Sequence, residues 1–285
     1  MLTILQGSDL HFGSAYDPDA GKAFRRAIEE STPDLVVIAG DLTQRAKVRE
    51  YREAQRFLES LGDLPVVVTP GNHDVPLYRA FERLLDPFRN YRRYVSPDLD
   101  TVTRVPGAVV VALNTAAPRR AIVNGRLAPG QLEFAARIFQ ESHAHEARIV
   151  VAHHPLVSPL DGEPAEPLRG ATGILEALRD MGAELVMGGH FHRGFVACSS
   201  SVCSAQEGTA EVVLAYSGTA TSTRGRASEA SKNSFNLLMV DEDTITVEHR
   251  LLDRDSMTFE SLRETVFPRR GRASGAVSSS SGRGP

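Results

Sequence analysis

At 285 residues, with 41% hydrophobic and 24% charged residues, the chain has the size and composition of one large globular α/β domain. Its formal net charge of −4 excludes the strongly basic balance of many duplex-binding proteins, although a local basic patch remains compatible with it. The apolar runs fall short of the about 20 residues that span a bilayer, and the N-terminus reads as a core strand rather than a signal peptide, so we expect a cytoplasmic protein.

The first half of the chain alternates between strands and helices. In chain order, the pattern predicts a strand at 2–7, a helix at 20–31, a strand at 34–39, a helix at 47–61 and a strand at 65–69. Strands that alternate with helices indicate a parallel sheet covered on both faces. The strands at 34–39 and 65–69 are continuous apolar runs, as expected for strands that are buried on both sides.

The segment 76–97 interleaves aromatic and arginine side chains, and we predict a helical excursion there. Four apolar side chains recur at helical spacing: Phe81, Leu84, Leu85 and Phe88. This spacing favours packing against the core, with the arginine stems lying along the apolar surface. A nucleic-acid-binding surface is the alternative interpretation of the same residue types.

The second half repeats the alternation and then turns to β-structure. We predict a strand at 107–113, a helix at 129–140, a strand at 148–152, a helix at 173–181 and a strand at 184–187. Residues 193–250 then read as strands separated by Ser-, Gly- and Asp-rich turns, with a hairpin turn at 241–243. One domain should therefore cover residues 1–267, and the Arg/Gly/Ser-rich residues 268–285 should form a disordered tail.

The two cysteines, Cys198 and Cys203, lack the CxxC spacing of zinc and redox motifs. We predict thiols in a surface hairpin at these positions. Any metal ligands must then come from other residue types.

Five short blocks of Asp, Asn and His each follow a β-rich apolar run. They are Asp9-Leu10-His11, Gly40-Asp41, Gly71-Asn72-His73-Asp74, His153-His154-Pro155 and Gly189-His190-Phe191-His192. Every block lies where a predicted strand passes into a loop, which is where open α/β sheets build ligand sites. The pattern predicts a dinuclear metal hydrolase.

The residue types in these blocks indicate which metals they suit. Asp9 and His11, like His190 and His192, are two residues apart, and such residues point to the same side of an extended chain and could bind one ion. Carboxylate and imidazole ligands suit Mn, Fe, Co, Ni or Zn in a catalytic site. Seven candidates are too many for one ion that also binds water: Asp9, His11, Asp41, Asn72, His153, His190 and His192. Two ions that share Asp41 account for the number.

The order and approximate spacing of the blocks across residues 1–192 resemble the calcineurin-like metallophosphoesterase superfamily. The run Gly40-Asp41-Leu42-Thr43 and the chain length look most like its bacterial cyclic-nucleotide phosphodiesterase-like branch. The resemblance implies an α/β fold with a two-sheet mixed β-sandwich flanked by helices. It also implies that the β-rich C-terminal part closes the second sheet.

The resemblance further implies roles for individual residues. One metal would be held by Asp9, His11, Asp41 and His192, and the other by Asp41, Asn72, His153 and His190. His73 would be the non-ligand histidine beside the phosphate, where it protonates the leaving oxygen or stabilises charge on the transferring group. Asp74 would orient His73.

Residue type alone adds candidate substrate contacts at Arg45, His154 and Arg224, and Arg226 is of the same kind. A surface or structural role is the alternative for each of them. The segments 76–97 and 114–128 are the candidate rim elements.

We therefore predict a metal-dependent phosphodiesterase that hydrolyses a small phosphodiester by attack of a metal-bridging hydroxide, with a 3′,5′-cyclic nucleotide as one candidate substrate. The expected cofactors are two divalent or mixed-valence ions, with Mn, Fe and Zn as candidates. The same site could serve a nucleotide-sugar or lipid-linked pyrophosphatase, a phosphomonoesterase or a nuclease. A non-catalytic binding scaffold is a further alternative, and a homodimer formed through the early helices is compatible with the sequence.

Overall fold

The computed structural model describes residues 1–119, 123–159, 166–201 and 211–269. In these ranges the strands are β1 (Leu2–Gly7), β2 (Leu35–Ile38), β3 (Val66–Val68), β4 (Thr101–Val105), β5 (Ala108–Leu113), β6 (Ala147–Ala152), β7 (Leu185–Gly188), β8 (Phe195–Cys198), β9 (Val213–Tyr216), β10 (Ser234–Val240), β11 (Thr244–Asp253) and β12 (Thr258–Pro268). The helices are α1 (Pro18–Ser31), α2 (Val48–Glu59), α3 (Ala80–Leu85), α4 (Arg89–Tyr94), α5 (Pro129–Gln140) and α6 (Ala171–Asp180).

The described strands form two six-stranded mixed sheets. The first sheet has the order β12-β11-β10-β1-β2-β3, in which β1, β2 and β3 are parallel and the C-terminal strands join antiparallel beside β1. The second has the order β4-β5-β6-β7-β9-β8, in which β5, β6, β7 and β9 are parallel and the two edge strands are antiparallel. The α/β fold class with two mixed sheets and a strand-rich C-terminal part is confirmed.

The two sheets pack face to face through a shared apolar core. Ile4 and Val37 of the first sheet belong to the same buried cluster as Val151 and Met187 of the second. Alternate residues of each strand point into this layer because side chains alternate across a pleated strand. One face of each sheet is therefore covered by the other sheet.

Helices cover the two outer faces. On the first sheet α1 and α2 pack through residues such as Phe24 and Tyr51, and on the second α5 and α6 pack through residues such as Phe139 and Leu175. The prediction of parallel strands buried on both faces is confirmed. One face packs against the other sheet and the opposite face against helices. The shared core thus holds the two sheets in a fixed position relative to each other.

The predicted helical excursion at 76–97 consists of the two short helices α3 and α4. The predicted core packing is wrong for three of its four apolar side chains, because Phe81, Leu84 and Leu85 are 82%, 56% and 79% exposed. Pro87 separates the two helices, so Phe88, which is buried, does not continue the face of α3. The helical spacing read from the sequence spans a break in the helix.

Two strands, β4 and β12, were not among the predicted elements. Both lie at sheet edges, and most residues of β12 are exposed, so no apolar stripe marks this strand in the sequence. Strand β12 ends at Pro268, and Arg269 then donates to Glu184 at 2.6 Å. The remainder of the predicted tail lies outside the described residues.

The thiol of Cys198 lies at the end of β8, 3.1 Å from the Ser200 hydroxyl. Its predicted hairpin partner Cys203 lies outside the described residues. In the described part of the chain, we find no helix with the length and hydropathy needed to cross a membrane.

Candidate metal centre

All five polar blocks lie at the carboxyl ends of parallel strands. Those at Asp9, Asp41 and Asn72 follow the neighbouring strands β1, β2 and β3, and those at His153 and His190 follow the neighbouring strands β6 and β7. Because the two sheets face each other, their carboxyl edges meet above the shared core. The topology therefore brings together residues that are far apart in the sequence, as ligand sites of open α/β sheets do.

Four side chains form a first buried group: Asp9, His11, Asp41 and His192. Their ligand atoms lie within 4.8 Å of one another, and each residue is at most 2% exposed. The Asp9 Oδ1 atom is 3.0 Å from His192 Nε2 and 3.6 Å from His11 Nε2. Oxygen and nitrogen lone pairs that converge away from water are a suitable cage for a divalent cation.

A second group forms around His153. Its Nε2 atom is 3.3 Å from the Asn72 side-chain oxygen, which is 3.0 Å from His190 Nδ1. Asp41 lies between the groups, because its Oδ2 atom is 3.7 Å from His11 Nε2 and 3.5 Å from His153 Nε2. The structure thus brings all seven predicted ligands together, with Asp41 in a position to contact ions on both sides.

The backbone at these positions differs from the expected extended conformation. Asp9, His11, Asp41, His190 and His192 all have positive φ values, between 50° and 76°. His190 lies with the Asn72 group and His192 with the Asp9 group. The expectation from spacing that both face one ion is therefore wrong, and the division follows what the resemblance implies. Non-glycine residues adopt positive φ values at a cost, and such strain is concentrated at functional sites.

Each of the two cage carboxylates, Asp9 and Asp41, has one oxygen fixed by the protein and one left for the cage. The Asp9 Oδ2 atom accepts hydrogen bonds from the Ser8 hydroxyl and the His190 backbone N–H, at 2.7 and 2.9 Å. The Asp41 Oδ1 atom accepts one from the His73 backbone N–H at 2.7 Å. Among the described residues, Asp9 Oδ1 and Asp41 Oδ2 are buried without any hydrogen bond. Such orphaned atoms fit the ligand positions of a cation.

Two of the imidazoles are oriented by backbone carbonyls. His153 and His192 use Nδ1 to contact the backbone carbonyls of Ala39 and Arg224, at 2.7 and 2.9 Å. When Nδ1 donates to a carbonyl, Nε2 is left with a free lone pair, which is the tautomer a metal requires. His153 and His192 therefore direct Nε2 towards the cage, whereas His190 directs Nδ1 towards the Asn72 oxygen.

The pKa values of the cage respond to burial and to neighbouring charge. Burial lowers the pKa of His11 to about 4 and that of His190 to about 3, so both rings are neutral at pH 7. Although burial opposes ionisation of Asp9, His192 holds the pKa of this carboxyl well below its ordinary value. Burial also opposes the charge of His153, but the carboxylate of Asp41 raises the pKa of His153 to about 9. Ionised carboxylates and the neutral rings of His11 and His190 are in the protonation states that bind metal, whereas His153 must lose a proton before it can bind an ion.

His73 lies beside the first group, with its ring 4.8 Å from the His11 ring. Its Nδ1 atom is 3.0 Å from the Gln44 carbonyl, and its Nε2 atom is 3.0 Å from the Arg224 guanidinium. Since a carbonyl only accepts, Nδ1 carries the proton, and Nε2 accepts from Arg224. His73 therefore presents a proton-accepting nitrogen to the cavity.

The predicted orienting role of Asp74 needs correction. Its carboxylate accepts from the backbone N–H groups of Leu42, Thr43 and Gly71 and from the Thr43 hydroxyl, at 2.8 to 3.1 Å. Burial, followed by the charge of Asp41, raises the pKa of Asp74 to about 7, while these donors lower it. Asp74 thus holds two metal-bearing loops together, and the Gln44 carbonyl orients the His73 ring.

A cavity of about 400 Å³ opens onto the cage. Its described lining consists of Asp41, Asn72, His73, Leu77, Val123, Asn124, Glu166, His190, Phe191, His192, Arg224 and Arg226. Both predicted rim segments contribute to this lining, 76–97 through Leu77 and 114–128 through Val123 and Asn124. The volume lies in the range of small-molecule sites.

Two predicted substrate contacts do not reach this cavity. His154 is 1% exposed, and its Nδ1 is 2.7 Å from the Thr115 hydroxyl. Its ring lies 4.9 Å from that of His153 and 4.7 Å from that of His190, and a ring nitrogen of each of the three lies within 4.8 Å of the others. The guanidinium of Arg45 lies over the Tyr78 ring, 4.6 Å from its centroid. Only Arg224 of the three lines the cavity.

Sequence reasoning missed a buried network beneath the last metal loop. Glu229 accepts from the Gly194 backbone N–H and from His249 Nε2, at 2.6 and 3.0 Å. The His249 ring in turn lies 2.8 Å from the Asn236 side-chain oxygen. These residues are scattered through the β-rich C-terminal part, so no local motif marks them.

Comparisons with known proteins show which family shares these sequence blocks. The sequence model of the calcineurin-like phosphoesterase family matches residues 2–194. A probable cyclic nucleotide phosphodiesterase of Synechococcus sp. is 26% identical over 210 residues, which are 68% of this chain and 75% of that protein. A cAMP/cGMP dual specificity phosphodiesterase of Mycobacterium tuberculosis is 28% identical over 255 residues, which are 85% of this chain and 75% of that protein.

Among solved structures, a purple acid phosphatase from yellow lupin (Lupinus luteus) aligns with a TM-score of 0.67 at 14% sequence identity. The alignment covers 94% of this chain and 54% of the lupin chain, so this chain spans about half of that protein. At this identity the similarity is one of fold.

Proposed function

The chain belongs to the calcineurin-like phosphoesterase family, and on that premise we propose that it is a dinuclear metal-dependent phosphodiesterase acting on small phosphodiesters, with 3′,5′-cyclic nucleotides as the leading substrates. The observation that carries this proposal is the position of Asp41. Its Oδ2 atom lies between His11 and His153, 3.7 and 3.5 Å from their Nε2 atoms. One carboxylate shared by two imidazole groups is the arrangement that a pair of metal ions needs.

We assign the ligands by the two groups described above. The first ion would be held by Asp9, His11, Asp41 and His192, and the second by Asp41, Asn72, His153 and His190. Mn, Fe and Zn suit this mixed carboxylate, amide and imidazole set. We propose the cytoplasm as the location of the enzyme, and a homodimer stays a prediction.

When bound, the two ions supply Lewis acidity and make a water molecule nucleophilic at neutral pH. The chain supplies positioning, charge and proton transfer. Arg224 lies in the cavity wall with its guanidinium 3.0 Å from His73 Nε2, where it can bind a non-bridging phosphoryl oxygen in place of the histidine. His73 Nε2 is then free to hold a proton for the leaving oxygen.

The cavity suits a mononucleotide in both size and chemistry. Phe191 lines one wall and offers a ring face on which a base can stack. Asn124 and Glu166, joined by a hydrogen bond of 2.8 Å, add amide and carboxylate groups to the lining. The two phosphodiesterase relatives, named for cyclic nucleotides, support the same substrate class.

The first experiment compares bis-p-nitrophenyl phosphate with p-nitrophenyl phosphate, using metal-stripped protein refilled with Mn, Fe, Co, Ni, Zn or Mg in turn. We expect metal-dependent preference for the diester, followed by turnover of cyclic AMP or cyclic GMP. Preference for the monoester would instead indicate a phosphatase. Absence of activity with every metal would favour the binding scaffold.

The role of His73 is tested with His73→Ala, and the exposed His143 provides a matched His143→Ala control. We expect kcat on a cyclic nucleotide to fall by about 10²- to 10⁴-fold in His73→Ala. The loss should be smaller on the nitrophenyl diester, because its leaving group needs no proton. An equal loss on both substrates would contradict proton donation.

A further inference from the structure

Four large apolar side chains stand in solvent on the segment that follows the cavity-lining residue Leu77. Tyr78, Phe81, Leu84 and Leu85 are 77%, 82%, 56% and 79% exposed, and we call this set the apolar rim. They come from α3 and the residues just before it. A contiguous exposed group of this kind indicates contact with another apolar phase or surface.

Hydrogen bonds from arginines fix the backbone beneath the apolar rim. Arg119 donates to the Leu84 carbonyl at 2.7 and 2.9 Å and to the Leu85 carbonyl at 3.3 Å. Near the other end, Arg79 donates to the carbonyls of Arg45 and Ala46, at 3.1 and 2.9 Å. Because these bonds tie both ends of the segment to the rest of the molecule, the apolar side chains are held outward.

The surroundings of the apolar rim are cationic, although the chain as a whole is acidic. The stretch 76–94 contains five arginines and two acidic residues, which gives a local charge of +3 on a chain of net charge −4. Arg79 pairs with Glu82 at 2.8 Å and Arg92 with Asp86 at 3.3 Å, so the surplus lies with arginines such as Arg89, Arg93 and Arg83. Exposed apolar groups surrounded by arginine are typical of segments that bind anionic lipid surfaces.

A second copy of the chain fits this surface poorly. A two-fold contact would place the apolar rim against itself and would bring two arginine-rich stretches together. Like charges in such a contact repel one another. An anionic bilayer offers the opposite charge and, being fluid, needs no shape complementary to four outward side chains.

We propose that the apolar rim docks the protein on the surface of an anionic lipid bilayer, with the rim side chains in the interfacial layer and the arginines at the level of the headgroups. The proposal is independent of which phosphoester the site hydrolyses. Leu77, which lines the cavity, precedes Tyr78 directly. Docking therefore places the cavity mouth close to the membrane surface.

The test is co-sedimentation of the full chain, without substrate, with vesicles of phosphatidylcholine alone or mixed with phosphatidylglycerol. We expect binding to the mixed vesicles and a loss of binding as salt is raised. The double variant Phe81→Ser/Leu85→Ser should reduce the partition coefficient at least about tenfold. Arg89→Gln/Arg93→Gln should reduce the preference for phosphatidylglycerol.

The matched control is Leu262→Ser, which removes a side chain that is 62% exposed on β12, away from the apolar rim. We expect its partition coefficient to stay within about twofold of wild type. The proposal is overturned if wild type does not prefer the mixed vesicles, or if the control loses as much binding as the rim variant.

Two further outcomes would also overturn it. The first is a dimer, measured by light scattering, that Phe81→Ser/Leu85→Ser dissociates, since the apolar rim would then bind a second copy. The second is competition by short-chain phosphatidylglycerol below its micelle concentration, since the rim would then hold single lipid molecules. An unchanged melting temperature of the rim variant would show that it loses vesicle binding without unfolding.

Discussion

The floor of the cavity, formed by the candidate metal ligands, and the apolar rim are opposite exceptions to the usual burial of side chains. At the floor, the charged residues Asp9 and Asp41 are fully buried. At the rim, Phe81 and Leu85 stand in solvent at 82% and 79% exposure. Charged residues are rarely buried without a partner, and contiguous apolar groups are rarely left exposed. Each inversion therefore indicates something outside the chain, a cation at the floor and an apolar layer at the rim.

The two regions also differ in how they are held. Floor carboxylates are fixed atom by atom, as when Asp41 accepts the His73 backbone N–H at 2.7 Å. At the rim the hydrogen bonds hold the backbone, as from Arg119 to the Leu84 carbonyl, and of the rim side chains Tyr78 is contacted by the Arg45 guanidinium. Substitutions at the floor should therefore change metal binding and catalysis, and substitutions at the rim should change neither.

The largest expected effect is that of Asp41→Asn. Loss of a charged ligand shared by both ion positions should reduce both metal content and kcat, the latter by at least about 100-fold, because even the loss of an outer partner of a metal ligand costs about 10- to 100-fold. Metal analysis and diester turnover measure the two effects. The exposed Asp63→Asn is the control, and wild-type metal content in Asp41→Asn would contradict the assignment.

Gly189→Ala tests whether the floor tolerates even one methyl group. A Cβ at Gly189 would overlap the Ser8 hydroxyl and press on Asp9 Oδ2. We expect a loss of about 1–3 kcal/mol in the free energy of unfolding, together with weaker metal binding. Gly173→Ala in α6 meets no atom within 4 Å and should stabilise the protein by about 0.5–1 kcal/mol. Thermal unfolding and metal titration compare them, and equal behaviour of the two variants would argue against a tightly packed floor.

Glu229→Gln tests whether the floor is supported from below. Although burial favours the neutral acid, the hydrogen bond from His249 lowers the pKa of Glu229 below its ordinary value. Since the pKa is lower in the folded state, the carboxylate contributes stability above the unfolded pKa and loses it as pH falls through the folded pKa. Glu229→Gln should cost about 1–3 kcal/mol at neutral pH and flatten the decline in stability on the acid side.

Urea unfolding at neutral and acidic pH measures this dependence. The exposed Glu260→Gln on β12 is the matched control and should leave the curve unchanged. If Glu229→Gln keeps the wild-type decline of stability at acidic pH, groups other than Glu229 cause that decline.

The smallest expected effect is that of Phe81→Ser/Leu85→Ser on the isolated protein. Because both side chains stand in solvent, the free energy of unfolding should change by no more than about 0.5 kcal/mol. Turnover of a soluble diester should match that of wild type. A large loss of stability in urea unfolding would mean that the rim is part of the folded core, and the contrast with the floor would fail.

The strands and the ligand blocks could be predicted because their signals are local. Continuous apolar runs such as Val66–Val68 mark buried strands, and a polar block directly after each run marks the carboxyl edge of the sheet. The seven predicted ligands converge for this reason. The assignment of ions to them rests on the proposal above.

What could not be predicted depends on conformation or on distant contacts. The spacing of His190 and His192 does not reveal that they lie in two groups, and only the family resemblance implied this division. The Gln44 carbonyl that orients His73 is a backbone atom and leaves no mark in the sequence. The exposure of Phe81 follows from the break at Pro87, where helical periodicity is no longer a guide.

The long edge strand β12 bears on how the protein behaves at high concentration. Its outer side leaves backbone donors and acceptors unpaired by any described strand, which is a template for edge-to-edge association and filament growth. The strand carries Glu260, Arg263 and Glu264, ends at Pro268, and pairs with β11 through a register shift at His249/Arg250. Charge, proline and an irregular edge each oppose the docking of another strand. The chain can thus expose this edge without recruiting further copies into a growing sheet.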